Sequence, residues 1–389
     1  MGAANRKPRL LIVGKAYAPH IGGVEAVMQQ VAEGMRKWAR VSVLTCRDTM
    51  GAAENDCING VKVYRCGSLG TFRSCPVSMS FLSAFRRKVM VADVVELHLP
   101  FPLADLACIL SGYRGKVVVA WHSDIVRQRI LRVAYQPMMH ALLRRADVII
   151  TATQAYIDRN ATLQPYREKC VVVPYGIDTK LYDDTPYQPV LQRHLRVPHA
   201  KKILFVGRLV YYKGADVLLK AFAMLPQSPA CELFLIGEGE EKAALQLLAH
   251  RLAIADSVHF LGRRMEPELR AAFKDCDLFV LPSTANSEAF GLVQLEAMAC
   301  GKPVINTALP TGVPQVSLHG ETGLTVPAGD AEALCNAMAL LLGDASLCKR
   351  YGQAAKDRVK QAFALQTVLE RRKSVLLDDL PPRAFEKES

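Results

Sequence analysis

The chain has no uninterrupted apolar stretch long enough to cross a bilayer, and none ahead of its first β-branched run that would serve as a secretory leader. Integral membrane proteins and exported chains are therefore not expected, and a cytoplasmic protein is. Gly2 could open a myristoylation signal, but Arg6 stands where that signal needs Ser or Thr. The 11 cysteines never fall as C-x-x-C. Cys57, Cys66 and Cys75 recur every nine residues, yet no histidine pair completes a zinc site. Reduced, mostly buried thiols fit this usage, and the sequon Asn160-Ala-Thr162 would then stay unmodified. A full G-x-G-x-x-G fingerprint is also missing. Gly22-Gly23 and Gly237-Glu-Gly239 each fall short of it, and the second carries acids that a phosphate would not welcome.

What remains is a chain of 389 residues, too long for one ordinary core, so two domains are expected. The net charge of +12 is uneven: residues 1–190 hold 25 Lys and Arg against 15 Asp and Glu, and the rest hold 24 against 22. A basic first half suits an anionic surface or an acidic substrate. No recognition helix or single-strand platform accompanies the charge, so nucleic acid is not an expected partner. Residues 381–389, with Pro-Pro and mixed charges, are expected as a tail.

Short β-branched runs alternate with helical stretches along the chain. Arg9-Leu-Leu-Ile-Val13 is continuous in apolar residues, as a strand buried on both faces is. Runs at 41–45, 94–98, 116–120, 147–151 and 170–174 continue the series, with helices expected at 25–38 and 125–145. A polar, proline-containing stretch at 178–198 is expected as a linker. The alternation restarts with strands at 202–207, 232–236, 258–261, 278–281 and 303–306 and helices at 214–224 and 292–299. Strands alternating with helices mean parallel sheets, and the restart means two. The expected fold class is α/β, with two Rossmann-like doubly wound domains at 1–190 and 191–364. Residues 365–389 are expected as a helix and tail that return to the first domain. Ligands of such sheets sit beyond the carboxyl ends of the strands, so two facing sheets would share one cleft.

The richest segment is Ser287-Glu-Ala-Phe-Gly-Leu-Val-Gln-Leu-Glu296. A helix opening near Leu292 offers backbone N–H groups and the positive end of its dipole to a phosphate. Gly291 would let that phosphate approach the backbone closely. Taken alone, Glu288 could equally be a carboxylate favoured by the dipole, and Glu296 a solvated helix residue. Arg208 and Lys213 follow the strand at 202–207, either as an ordinary surface pair or as two cations for a diphosphate. Gly22 and Gly23 follow the first strand, as a plain turn or as room for a bound phosphate.

Together these segments resemble the retaining glycosyltransferase family 4, which has the glycosyltransferase B architecture. Its E-x7-E pattern is matched by Glu288 and Glu296, and its glycine-rich first loop by Pro19-His-Ile-Gly-Gly-Val-Glu25. A strand ending in G-R and followed by K-G appears as Gly207-Arg208 and Lys213-Gly214. The E-x-M-A-x-G-x-P-V run appears as Glu296-Ala-Met-Ala-Cys-Gly-Lys-Pro-Val304. Val173-Pro-Tyr-Gly-Ile-Asp178 and Gly320-Glu-Thr-Gly-Leu-Thr-Val-Pro327 also look familiar, and the resemblance runs from about Arg9 to Gln366.

The resemblance implies a nucleotide-sugar donor and a role for each residue. Arg208 and Lys213 would stabilise the departing nucleoside diphosphate. Glu288 would contact the donor sugar near its 3-hydroxyl, and Glu296 the ribose hydroxyls. The backbone of Phe290, Gly291, Leu292 and Val293 would hold phosphate, and Arg263 would lie near the base. Gly22 and Gly23 would leave room for the diphosphate. His122 would sit near the anomeric carbon and share catalysis with Glu288. Asp275-Cys-Asp277 matches the D-x-D of metal-dependent transferases, but it lies where a helix leads into a strand. Neither a metal nor another cofactor is expected. The segment His122-Ser-Asp-Ile-Val-Arg127 looks like that of bacterial surface-polysaccharide hexosyl- and mannosyltransferases. That implies GDP-mannose ahead of a UDP-hexose, and a glycan acceptor, carried on a lipid.

Phe81-Leu-Ser-Ala-Phe-Arg-Arg-Lys-Val-Met90, with Arg127, Arg129 and Arg132, is either a solvated helix face or a site that docks on an anionic membrane. Two other functions share the fold class: an oxidoreductase using NAD, and a regulator that binds a nucleotide sugar without turnover.

Overall fold

The β-branched runs become strands buried from both sides. In the computed structural model, which describes residues 6–19, 22–72, 75–122, 129–226 and 228–380, the first half carries ten strands in all, including exposed ones at Glu54–Ile58 and Thr71–Phe72. They are β1 (Arg9–Val13), β2 (Arg40–Cys46), β3 (Glu54–Ile58), β4 (Val61–Cys66), β5 (Thr71–Phe72), β6 (Cys75–Pro76), β7 (Val94–Leu99), β8 (Lys116–Trp121), β9 (Val148–Thr151) and β10 (Cys170–Val172). Eight form one sheet in the order β10-β9-β8-β7-β1-β2-β4-β3, while β5 and β6 pair as a small hairpin. The sheet is parallel except for β3, which turns back onto β4 through Asn59 and Gly60, at φ of 48° and 77°. Helix Gly23–Met35 buries Val27, Met28, Val31, Ala32 and Met35, the stripe that a helix lays on a sheet.

The second half repeats the design with β11 (Lys201–Val206), β12 (Cys231–Ile236), β13 (Val258–Gly262), β14 (Leu278–Val280), β15 (Val304–Thr307) and β16 (Gly323–Val326). All are parallel, in the order β13-β12-β11-β14-β15-β16. This is the doubly wound order in which the first strand is central and the chain reverses direction beside it. That switch point falls between β11 and β14 here, and between β1 and β7 in the first sheet.

The described chain packs as two units, Met1–Ala152 with Asn160–Pro174 and Val368–Ser389, and Thr153–Arg159 with Tyr175–Thr367. The expected boundary at residue 190 is thus corrected to Pro174, and the linker expected at 178–198 is part of the second unit. Its polar residues are fastened. Asp178 caps helix Thr179–Asp183, and Asp275 accepts from the N–H groups of Leu191 and Gln192. Glu232, also buried, accepts from those of Arg196 and Val197. A strap tied to buried carboxylates and a free linker have the same composition, which is why the sequence misleads here. Residues 123–128 and 381–389, with Arg127 and the expected tail, lie outside the described residues, as do the side chains of Arg129 and Arg132. All 11 cysteines are free thiols, and Cys57 alone is exposed.

Helix Leu365–Leu377 buries Val368, Leu369, Arg372 and Leu376 along one side. Leu369 packs where Gly34 leaves no side chain, and Arg372 reaches Glu96 in the middle of β7. Arg372 Nε donates to Glu96 Oε1 at 2.9 Å, and its Nη2 joins the same oxygen. Both residues are almost wholly buried. Breaking such a pair strands one charge in a dry interior. Arg372→Ala should cost about 3–5 kcal/mol in the thermal or urea unfolding of the first unit. Glu96→Leu together with Arg372→Met should stay close to the parent stability.

Candidate active site

The second unit concentrates its chemistry at the switch point. After β11 the chain runs through Arg208 to Lys213, and after β14 through Ser283 to Glu288. Lys213 Nζ lies 2.5 Å from Glu288 Oε2, and Ser283 Oγ donates to the same oxygen at 3.0 Å. Both side chains are nearly out of solvent, so the pair is held in a low-dielectric recess rather than on a surface. The sequence reading gave these residues separate tasks; the structure joins them across the switch point. Lys213 has three donors and retains capacity for a second anion. Arg208 is exposed, with Nη2 donating to Tyr212 Oη at 3.1 Å.

Gly237 and Gly239, too short a motif for a nucleotide, have a packing explanation. A Cβ on either would run into the backbone carbonyl of Gly207 or Leu209. They are small so that the loop carrying Arg208 can lie against the end of β12.

The loop from Pro282 leads into a helix of seven residues, Val293–Ala299, with Leu292 at its N-cap. Gly291 has φ of 72°, a conformation that side chains rarely adopt, and it sets the sharp entry to the helix. Phe290 turns inward, edge-on to Tyr175 at 4.8 Å and to Phe363 at 6.1 Å, which anchors this loop from below. Gln294, fully buried, donates to the Phe290 carbonyl, and Asn306 donates to Gln294 Oε1. The Phe290, Gly291, Leu292 and Val293 backbone is thus held from inside while the first N–H groups of a helix have no carbonyl one turn back.

Glu296 lies apart from the Lys213–Glu288 pair in character. Burial pushes its carboxyl up to about 8, the nearby Glu266 adds to that, and a hydrogen bond from Tyr182 with the charge of Arg270 opposes it. Arg263 is exposed on the loop after β13, beyond the sheet edge. Asp275 and Asp277 are both committed to structure. Asp275 holds the strap and pairs with Lys202 at 3.1 Å, and Asp277 accepts from the Lys202 N–H at 2.8 Å.

The first unit holds the remaining three residues. Gly22 is the N-cap of helix Gly23–Met35, with Gly23 its first residue. The space a side chain at Gly22 would take is filled by the Glu25 carboxylate, a charge the helix N-terminus favours. His122 follows β8 and is buried, its Nε2 2.9 Å from Nδ1 of His98 on β7. Burial and the charge of Arg372 hold the His122 imidazole down at about 3, so it is neutral at ordinary pH. Sequence reasoning missed His98, Glu96, Arg372, Tyr182 and Ser283. Three of these left a trace: Glu96 and His98 interrupt an apolar strand on one face, and Arg372 sits on the apolar stripe of its helix.

Residues 22–176 match the Glycosyl transferase 4-like domain, and residues 190–358 match Glycosyl transferases group 1. The D-rhamnosyltransferase WbpZ of Pseudomonas aeruginosa is 34% identical over 359 residues, spanning 91% of this chain and 92% of that one. The chain belongs to the group 1 glycosyl transferases. It is a glycosyltransferase, and an oxidoreductase function is set aside. The O-antigen chain mannosyltransferase C of Escherichia coli is 28% identical over 93% of this glycosyltransferase and 96% of its own length. Among solved structures, Anabaena HepE with UDP matches at a TM-score of 0.77 and 22% identity, over 94% of this chain and 99% of that one. Sucrose-phosphate synthase from Thermosynechococcus elongatus matches at 0.73 and 21%, over 95% and 98%. The fold is that of the glycosyltransferase B class.

The electrostatics of Glu296 can be tested in the free enzyme. Glu266→Gln removes a like charge and should lower the Glu296 titration from about 8, while Tyr182→Phe removes a stabilising donor and should raise it. Carboxyl carbon NMR reads both shifts.

Proposed function

We propose that this glycosyltransferase transfers a hexose from a nucleotide sugar to a growing surface polysaccharide, with retention at the anomeric carbon. The observation that carries the reading is the Lys213–Glu288 pair, two desolvated charges poised at the switch point of the second sheet. Lys213 and Arg208 bring positive charge to the place where a diphosphate leaves. Glu288 faces the sugar that the diphosphate releases, and Glu296 takes the ribose hydroxyls. The backbone from Phe290 to Val293 receives phosphate. The C1–O bond to the phosphate breaks as the acceptor oxygen bonds to C1 on the same face, and the acceptor's proton passes to the departing phosphate oxygen. His122 attends the anomeric carbon as a neutral imidazole. With two cations on the diphosphate, the reading requires no metal.

GDP-mannose is the favoured donor and a UDP-hexose the next. A rhamnosyltransferase and an O-antigen mannosyltransferase stand among the relatives, and a UDP complex among the structural neighbours. The acceptor in this reading is lipid-linked, which would put the enzyme at the inner face of the cytoplasmic membrane. Among the described residues no single helix is long and apolar enough to cross a membrane. Helix Phe81–Val89 turns Phe81, Phe85 and Val89 into the core. Its outward groups include Arg86 and Arg87, near exposed Met79 and Met90, so attraction to anionic lipid would be mainly electrostatic.

A thermal-shift series with GDP, UDP, ADP and NAD, with and without EDTA, tests the donor. A nucleotide at about 100 times its Kd adds roughly 2.7 kcal/mol. The expected result is a shift with GDP that survives EDTA. A shift confined to NAD, or abolished by EDTA, would count against the donor site. Glu288→Gln should bind the nucleotide as the parent does while kcat falls about a hundredfold or more. Unchanged turnover would remove Glu288 from catalysis, and a parent without turnover on any donor would favour a regulator that only binds.

A further inference from the structure

The first unit contains a line of four buried polar side chains, of which His122 alone has a role in the proposed reaction. Arg372 is paired with Glu96, as described. His98 Nε2 lies 3.8 Å from Glu96 Oε1 and has no hydrogen-bond partner, although it is fully enclosed. Its other nitrogen, Nδ1, is 2.9 Å from His122 Nε2, and the two rings lie 4.9 Å apart at 25°. Glu96 and His98 share one face of β7, and His122 follows the adjacent β8, where its N–H donates to the Leu99 carbonyl at 3.2 Å.

We propose that His98, backed by the Glu96–Arg372 pair, is a positioning residue that fixes the tautomer and ring orientation of His122. The inference rests on the reading that His122 attends the reacting sugar. Proton placement follows from the geometry. Two neutral imidazoles sharing one hydrogen bond need one proton and one lone pair between them. A lone pair on His98 Nε2 would face the Glu96 carboxylate and be repelled, so the proton of His98 is on Nε2. Nδ1 is then bare and accepts. His122 must therefore donate from Nε2, which leaves its Nδ1 as the nitrogen with the lone pair. Burial, reinforced for His98 by its neighbour and by Arg372, keeps both rings neutral, so this arrangement persists across the working pH range. Arg372 pairs with Glu96 and so fixes the carboxylate of β7 that faces His98.

Nitrogen NMR of the labelled full-length enzyme reads the tautomer directly. His122 protonated on Nε2 is expected, and a proton on Nδ1 would overturn the proposal. In turnover, His98→Phe should lower kcat about tenfold to a hundredfold with KM for the donor within about twofold. His98→Asn places an amide oxygen near the former Nδ1 and should regain most of that loss. Equal losses in the two variants, or parent turnover in His98→Phe, would refute the role. Glu96→Leu with Arg372→Met, expected to stay close to parent stability, should also lower kcat, and parent turnover would remove the ion pair from the proposal. His122→Ala at parent turnover would sink the reading of His122, and the proposal with it. Loss of turnover in His122→Ala with none in His98→Phe would sink the proposal alone.

Discussion

A parallel strand delivers its functional loop only at its carboxyl end, and both halves of this glycosyltransferase are organised by that constraint. Each sheet starts in its middle and winds outward in both directions, so helices diverge on either side of one seam. In the second unit the seam lies between β11 and β14, and Lys213 and Glu288 come from those two strands. In the first unit, His98 comes from β7, one strand of the seam, and His122 from its neighbour β8. The flanking structure serves these loops. Gly237 and Gly239 make space for the Arg208 segment, and Gln294 with Asn306 fastens the Phe290 loop from the core side.

Much of this was legible in the sequence because the signals are local. Continuous apolar runs mark strands buried on both faces, and the run from Glu288 to Val304 carries loop, helix and strand in one piece. Less legible were features that depend on partners far along the chain. Lys213 and Glu288 were each visible, but their pairing requires the strand order. The polar strap has the composition of a linker because its anchors, Asp275 and Glu232, are distant in the sequence. The hairpin of β3 and β4 was overlooked despite Asn59-Gly60, a strong turn signal, since β3 is exposed and polar and lacks a hydrophobic run. His98 and Arg372 stay hidden because a lone polar residue in an apolar pattern carries no signal of its own until its partner is known.

The buried ionisable groups also oppose one another. His98 and His122 stay neutral in the fold but take up protons when unfolded, so they cost stability as pH falls below about 6.5. Asp105 and Glu296 do the reverse. Burial raises them to about 7 and about 8, so the folded chain holds protons that the unfolded one has released, and stability grows as pH falls through those values towards about 4. Each group contributes a slope of about 1.4 kcal/mol per pH unit. Between about pH 6.5 and 4 the two slopes run against each other, and the fold tolerates interior acids and bases together.

The placement of Arg372 has a consequence for the order of events during synthesis. Glu96 emerges from the ribosome early, in the central part of the first sheet, while its cation arrives on one of the last helices. Until then the first unit must keep a carboxylate in its core without a partner, or leave that face of β7 open to water. A protein whose second unit could fold as it emerges must therefore finish its first unit last. The strands of the amino-terminal half therefore do not complete their own core, because the side chain that answers Glu96 lies beyond the whole of the second unit along the chain.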